Sequence, residues 1–175
     1  MHLPRLLVLL FVSFGVAGLW AAESPEARLA ALGLTLPATA APVANYVPAV
    51  RTGNLLFLAG HIARDEQGQV IAGKVGRDLD EAAAALAARR TALALIATLK
   101  AELGDLGRVK RIVRVGGFVN CTDDFTRQPA VINGCSDLLV AVFGDAGRHA
   151  RAALGANALP LGTAVEIELV AEIRD

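Results

Sequence analysis

An arginine and a glutamate near the carboxyl end of the chain have the types and spacing of a hydrolytic pair. Arg151 leads to a Leu159-Pro160 turn, and Glu166 follows that turn at a short distance. A guanidinium can grip a carboxylate through two parallel hydrogen bonds, and a glutamate can position or deprotonate a nearby water molecule. The pair therefore indicates an anchor for a substrate carboxylate and a base that activates water. The alternatives are a solvated arginine and an exposed polar strand face that also carries Glu168 and Glu172.

Composition limits the classes of protein and partner that fit this chain. It has 175 residues, 54% of them hydrophobic, and its 17 basic and 17 acidic residues cancel. One compact domain with an N-terminal extension fits this length. Nucleic acid is not an expected partner, because its affinity depends largely on phosphate neutralisation by a basic surface.

Cysteines and metal-binding motifs add little to this picture. The chain has no CxxC or HExxH motif, so the sequence predicts no metal site. Cys121 and Cys135 are its two cysteines. An oxidising compartment could join them, and buried or free thiols are the alternative.

Residues 1–22 have the pattern of a secretory signal peptide. Arg5 supplies a positive flank, residues 6–20 form an apolar run, and Ala21-Ala22 are small residues suited to cleavage. The pattern predicts a periplasmic or secreted protein that has no membrane contact after cleavage. An uncleaved membrane anchor is the alternative reading.

The remaining chain divides into an N-terminal helix and linker at residues 23–42 and a domain at residues 43–175. Turn residues and hydrophobic periodicity predict its elements. The predicted helices are Ser24 to Leu36, Leu79 to Gly104, and a segment from near Pro129 to Phe143-Gly144; the predicted strands are Tyr46 to Arg51, Leu55 to Ala59, Val109 to Val119, Ala152 to Ala158, and Ala164 to Ile173.

This order predicts an α+β fold with a mixed sheet and two helices packed on one face. Asp78 with Glu81 has the pattern of a capping box at the start of the first long helix. The positions predicted to share one face are Leu86, Leu93, Ile96, Leu99 and Leu103 on this helix, Val113, Val115 and Gly117 in the strand that follows, and the odd-numbered residues from Val165 to Ile173. The other face of the sheet would meet solvent or another subunit.

Several of these motifs together resemble the Rid family, the RidA-like or YjgF-like reactive-intermediate imine deaminases. The resemblance covers roughly Val43 to Ile173 and rests on Tyr46, the hairpin segment TGNLLFLAG at residues 52–60, Asn133, Arg151 before Leu159-Pro160, and Glu166. It implies a chorismate-mutase-like fold and a homotrimer whose substrate clefts lie between subunits.

The resemblance also implies a reaction and residue roles. The reaction is hydrolysis of 2-imino or enamine acids, such as 2-aminoacrylate, to 2-keto acids and ammonia, without a cofactor. Arg151 would hold the substrate carboxylate and Glu166 would handle water. Tyr46, Gly60, Asn133 and the backbone N–H of Ala153 would also contact substrate.

The chain departs from the family pattern at two places. Many members have Ser-Gly-Gln-Ile-Pro where this chain has Ala59-Gly60-His61-Ile62-Ala63, and many have cysteine where Ala153 stands. A non-catalytic trimer that binds small metabolites is therefore an alternative, and an endoribonuclease is a less favoured one. His61 is either a base or a satisfied loop or interface residue. Residues 134–137 and 147–149 mark a divergent subgroup, and His149 is read as a surface residue or trimer contact.

Overall fold

A five-stranded mixed sheet covered by two long helices forms the core of the protein. The structure is a computed structural model, and it describes residues 23–39 and 44–174. The elements are α1 (Pro25–Ala31), β1 (Ala49–Thr52), β2 (Leu55–Ile62), α2 (Glu81–Leu103), β3 (Val109–Asn120), α3 (Gln128–Phe143), β4 (Ala150–Ala156) and β5 (Val165–Ile173). The predicted signal peptide and Val43 lie outside the described residues.

The strand order is β1-β2-β5-β3-β4, with β3 and β4 parallel and the other neighbours antiparallel. This arrangement confirms the predicted α+β fold with its mixed sheet. The long helices pack against each other and against the sheet. In β5, Val165, Ile167, Leu169, Ala171 and Ile173 are buried, and the residues between them lie on the opposite face. We call the face that carries Glu166 and Glu168 the open face.

The short helix α1 is tied to the rest of the domain by Glu26 in its first turn and by Leu29. The Ser24 hydroxyl accepts a hydrogen bond from the Ala27 N–H at 3.1 Å, which satisfies an otherwise unpaired amide of the first turn. Glu26 accepts from Lys100 Nζ at 2.7 Å and from the Leu106 N–H at 2.9 Å. Burial of Leu29 completes the attachment. The helix is shorter than predicted and ends before Gly33, whose φ is +66°.

The start of α2 differs from the predicted capping box. Asp80 is the N-cap, and its carboxylate accepts from the Ala83 N–H at 2.8 Å. Asp78 instead closes a turn by accepting from the Lys74 N–H and pairs with Arg77. These contacts hold the pKa of Asp78 down at about 2, with the Arg77 hydrogen bond as the main cause. The predicted cap was therefore wrong by two residues, because a local turn uses the first carboxylate.

The buried stripes also shift from their predicted positions at two places. Leu86 is 53% exposed, whereas Leu95 is fully buried, because alanines fill the narrow contact between α2 and α3. In β3 a break in the pairing between Ile112 and Arg114 puts Ile112, not Val113, in the core. The prediction that α2 ends at Gly104 is confirmed, with a φ of +74° there.

Two helical segments, Glu81–Leu103 and Gln128–Gly147, are long and apolar enough to cross a membrane by length and composition alone. Both contribute many of their apolar side chains to the core described above. Their apolar character is thus accounted for by packing within the domain.

Candidate functional site

Arg151 lies inside β4, one residue from its start, and its side chain extends towards α3. It pairs in register with Val115 of the parallel neighbour β3, and Val115 is buried under the helices. Residues paired across a sheet point to the same face, so Arg151 points to the helix side at the sheet edge. The predicted strand began one residue after Arg151, and parallel pairing with β3 extends it to Ala150.

Two polar side chains of α3 hold the guanidinium through a single nitrogen. Nη1 of Arg151 donates to Asn133 Oδ1 at 2.8 Å and to Ser136 Oγ at 3.0 Å. Among the described residues, Nε and Nη2 of Arg151 make no side-chain hydrogen bond. Those two nitrogens form the edge of the guanidinium that binds a carboxylate through two parallel bonds. Because the arginine side chain is exposed, this edge remains accessible.

Glu166 lies on the open face of the sheet, in the centre of a three-strand region. It pairs with Phe118 of β3 and with Ile62 of β2. A break in the β2 pairing between Leu58 and His61 brings Gly60 beside it. A Cβ atom on Gly60 would lie 2.3 Å from Glu166 Oε1, so the absence of a side chain there makes room for the carboxylate.

The surroundings of Glu166 favour its protonated form. Partial burial raises the pKa of the carboxyl, and the negative charge of Glu168 raises it further. Glu168 itself is paired with Arg114 at 2.6 Å. A raised pKa makes the carboxylate of a half-buried glutamate a stronger base than that of an exposed one.

The two predicted catalytic residues lie on opposite faces of the sheet within one chain. Arg151 reaches the helix side at the outer edge, whereas Glu166 stands on the open face two strands away. A single copy therefore does not bring the two groups into one pocket. They could serve one site only if a second copy supplied one of them.

The remaining predicted site residues divide between the same two places. Asn133 contacts Arg151 directly, and Ala153 follows Arg151 on the same face of β4. Gly60 borders Glu166. Tyr46 is 51% exposed and precedes β1 rather than opening it. A hollow at the ends of β3 and β4 is lined by none of these residues.

His61 lies on the helix side of β2, away from Glu166. Its Nδ1 is 2.8 Å from the Ala59 carbonyl oxygen, and its Nε2 is 2.8 Å from the Thr98 hydroxyl. Burial lowers the pKa of the imidazole, although the Ala59 carbonyl acts in the opposite direction. Both ring nitrogens are thus engaged, Nδ1 with a carbonyl of β2 itself and Nε2 with α2, which fits the alternative of a satisfied structural residue.

The cysteines do not form a bridge. Cys121 and Cys135 are both buried and free, and burial raises the pKa of the Cys135 thiol to about 12. A thiol with that pKa is not a nucleophile at neutral pH. Among the described residues, no group of three or more His, Cys, Asp or Glu side chains has the arrangement of a metal site.

One residue beside Arg151 that the sequence analysis did not name as a site residue is Ser136, the second acceptor for the guanidinium. Its position three residues after Asn133 in a helix places both side chains on one face, a spacing that is visible in the sequence. What was missing is the tertiary contact, since nothing local links α3 to β4.

Comparison with known proteins assigns the chain to a family. The family described as "YjgF/chorismate mutase-like, putative endoribonuclease" matches residues 26–173, a range that includes α1. A relative called Protein TCP17 from Trypanosoma cruzi is 43% identical over 150 residues, which are 85% of this chain and 94% of that protein.

Solved structures agree with this assignment. The protein Atu1372 of unknown function from Agrobacterium tumefaciens is 43% identical, has a TM-score of 0.79, and aligns over 87% of this chain and 95% of its own. A protein from Shewanella oneidensis described as a putative endoribonuclease is 36% identical and has a TM-score of 0.83. The alignment covers 86% of this chain and 99% of that protein. RidA from a Psychrobacter species is 26% identical and has a TM-score of 0.54, and the alignment covers 77% of this chain and 94% of that protein. The chain therefore belongs to the YjgF/chorismate-mutase-like family.

Proposed function

We propose that this protein hydrolyses small 2-imino acids, or their enamine tautomers, to 2-keto acids and ammonia. The observation that carries the proposal is the guanidinium of Arg151, which is fixed through one nitrogen by α3 and leaves its two-nitrogen edge for a carboxylate. Glu166, with its raised pKa and the gap at Gly60, is the proposed base.

The reaction balances without an oxidant or a cofactor. Water adds to C2 of the imino acid, forming a C–O bond while the C=N electrons move to nitrogen. Glu166 takes a proton from the attacking water and delivers it to the imine nitrogen, which gives a carbinolamine. The hydroxyl proton of this intermediate then passes through Glu166 to the amino nitrogen, and the C–N bond breaks as the C2=O bond forms, which releases ammonia and the 2-keto acid. Arg151 fixes the carboxylate so that C2 faces this water, and positioning supplies much of the acceleration.

The same proposal requires that copies of the chain associate, and a homotrimer with sites between subunits is the proposed assembly. Apolar side chains on the open face support it: Val50 is 55%, Phe57 43% and Leu154 54% exposed. Exposed apolar surface of this kind is characteristic of subunit contacts. A neighbouring copy packed on the open face could bring the Arg151 edge of its β4 towards Glu166.

The direct test generates imino acids with an amino-acid oxidase and traps the surviving imine with semicarbazide. Wild-type protein should lower semicarbazone formation, and R151A should not. The matched control is R148A, because Arg148 is also an exposed arginine, three residues away, and it pairs only loosely with Asp145 at 3.3 Å. Equal activity in R151A and wild type would contradict the proposal.

Endoribonuclease activity is a second candidate, favoured by the description of the Shewanella oneidensis structure and of the family. The zero net charge weighs against it, because RNA affinity depends on neutralising phosphates. An assay with nuclease-free protein separates the two functions. RNA cleavage that disappears in both R151A and E166Q would favour the ribonuclease, whereas cleavage equal in all variants would indicate a contaminant.

A further inference from the structure

A row of hydrogen-bonded polar groups leads from the Arg151 guanidinium to a backbone carbonyl. Ser136 Oγ lies 3.0 Å from Arg151 Nη1 and 3.1 Å from His149 Nε2. His149 Nδ1 lies 2.6 Å from the carbonyl oxygen of Gly147. The row thus runs from Gly147 through His149 and Ser136 to the guanidinium.

The chemistry of the two ends fixes the direction of every hydrogen bond in the row. A carbonyl oxygen only accepts, so the proton of neutral His149 is on Nδ1, and Nε2 is left as an acceptor. The Ser136 hydroxyl then donates its single proton to Nε2. Its lone pairs are consequently turned towards Arg151, whose Nη1 only donates.

The surroundings of His149 are consistent with a neutral ring. The imidazole is half-buried, and burial lowers its pKa; the positive charge of Arg151 lowers it further, although the Gly147 carbonyl acts in the opposite direction. Gly147 itself is buried, and a Cβ on it would lie 2.3 Å from the Leu139 carbonyl oxygen, so the carbonyl that orients the ring is on a closely packed turn.

We propose that Ser136 and His149 are positioning residues that hold the guanidinium of Arg151 in one orientation for an incoming carboxylate. His149 fixes the rotation of the Ser136 hydroxyl, and Ser136 with Asn133 fixes Nη1. The edge formed by Nε and Nη2 is then preorganised, so less side-chain entropy is lost on binding. The ligand in this inference rests on the function proposed above.

The hydrogen-bond direction can be measured without any ligand. Nitrogen-15 NMR of the wild-type protein at neutral pH should show His149 as the tautomer protonated at Nδ1. The S136A variant should change the Nε2 chemical shift more than that of Nδ1, because it removes the donor to Nε2. A ring protonated at Nε2 in the wild type would overturn the inference.

The positioning role is tested by binding of pyruvate and of its uncharged amide, pyruvamide. We expect S136A to weaken pyruvate binding roughly tenfold and to leave pyruvamide binding unchanged, since the lost bond acts on the charged anchor. S136T, which keeps the hydroxyl, should restore most of the affinity. D137A is the matched control, because Asp137 is the exposed neighbour on the same helix.

The outcomes separate this inference from the proposed function. If R151A loses pyruvate affinity while S136A keeps it, the positioning role alone is wrong. If R151A binds pyruvate as well as the wild type does, the carboxylate anchor is wrong and the positioning role fails with it. An equal loss of pyruvate and pyruvamide binding in S136A would indicate a general packing defect and would also overturn the inference.

Discussion

At the scale of single residues, Glu166 is the group that we propose as the base, and its surroundings shift its pKa in the direction that this role requires. Partial burial raises the pKa of its carboxyl, and Glu168, two residues along the same strand face, adds a like charge. An ordinary exposed glutamate is fully ionised at neutral pH and is a weak base. The raised pKa of Glu166 makes its carboxylate a stronger base, and the carboxylate is the main form when the pH is above that pKa.

The pH at which activity is lost should therefore depend on the charge of Glu168. Activity should fall as the pH drops through the raised pKa of Glu166, because only the ionised form accepts a proton. Replacing Glu168 by Gln removes the like charge and should move this acid limb to lower pH. The measurement is a pH–rate profile of imine hydrolysis.

The matched control for that prediction is E172Q. Glu172 also lies on the open face of β5, but it is bound to Lys110 and Asn54 and does not act on Glu166. Its replacement should leave the acid limb in place. An unchanged limb in E168Q, or an equal shift in both variants, would show that Glu166 is not the titrating base.

At the scale of elements, the irregular part of β2 performs two tasks that its sequence does not reveal. The break between Leu58 and His61 turns the imidazole of His61 to the helix side and leaves Gly60 against Glu166. A regular strand would keep strict alternation along these residues. The sequence predicted a strand that ended at Ala59, so the prediction did not include the bulge at which the side chains change faces of the sheet.

Gly60 offers a test of whether the room beside Glu166 matters. In G60A the added methyl must displace the Glu166 carboxylate, and we expect kcat to fall at least about tenfold, since small displacements of a reacting group are costly. The melting temperature should change little, because the displaced atoms are the end of a flexible side chain. Kinetics and thermal melting of the same sample measure both.

The control for Gly60 is G116A on the neighbouring strand β3. There the added methyl meets the side chain of Glu168 instead, at 2.6 Å from Oε1. G116A imposes a similar steric change on the same face, but the residue displaced first is not the proposed base. Equal losses of kcat in both variants would assign the effect to general distortion of the open face.

His61 should matter for stability, and its replacement by Gln should leave catalysis near the wild-type level. The variant loses contacts between β2 and α2, at a cost of about 1 kcal/mol at neutral pH. The pH dependence has a definite sign. Because burial lowers the folded-state pKa of His61, the unfolded chain takes up a proton first as the pH falls below about 6.5.

The wild-type protein should therefore lose stability as the pH falls below about 6.5 and through the folded-state pKa of His61. H61Q should show a shallower loss over the same interval. Melting temperatures between about pH 8 and pH 5 measure this slope. A steep fall in imine hydrolysis at constant stability would instead assign His61 to catalysis.

At the scale of the whole molecule, Arg151 and Glu166 are separated within one chain. One chain holds the anchor at the outer edge of the sheet, on the helix side, and the base on the open face. The proposed reaction needs both within one cleft, so the subunit contact is part of the proposed catalytic machinery. This requirement can be tested without a structure of the assembly.

Mixing two inactive variants should restore activity if each site uses Arg151 of one subunit and Glu166 of the next. R151A and E166Q subunits, unfolded together and refolded at equal amounts, would form mixed trimers in about three of four cases. Each mixed trimer would have one intact site of three, so about a quarter of the wild-type activity should return. The measurement is imine hydrolysis of the refolded mixture.

The control is the double variant R151A/E166Q refolded with wild type, in which mixed trimers keep an intact site only between wild-type neighbours. Separately refolded R151A and E166Q, combined afterwards without exchange, should remain inactive. If the co-refolded mixture is equally inactive, the two groups act within one chain or do not act together.

The amino-acid sequence by itself determined the kinds of element, their order, and the chemical types available for a site. Hydrophobic alternation in β5 predicts its buried face correctly, because period-two patterning directly reflects which side meets the helices. Gly104 ends α2 for an equally local reason, the left-handed conformation of the residue after a helix. Arg151 and Glu166 were also visible as residues that could bind a carboxylate and move a proton.

The tertiary structure alone decided where those side chains point and what supports them. Parallel pairing with β3 turns Arg151 towards α3, and contacts between distant segments assemble Asn133, Ser136 and His149 around it. Strand breaks in β2 and β3 reverse faces that simple alternation assigns, because one extra residue inverts the pattern. Such contacts depend on pairing between residues far apart in the chain, which local sequence patterns do not encode.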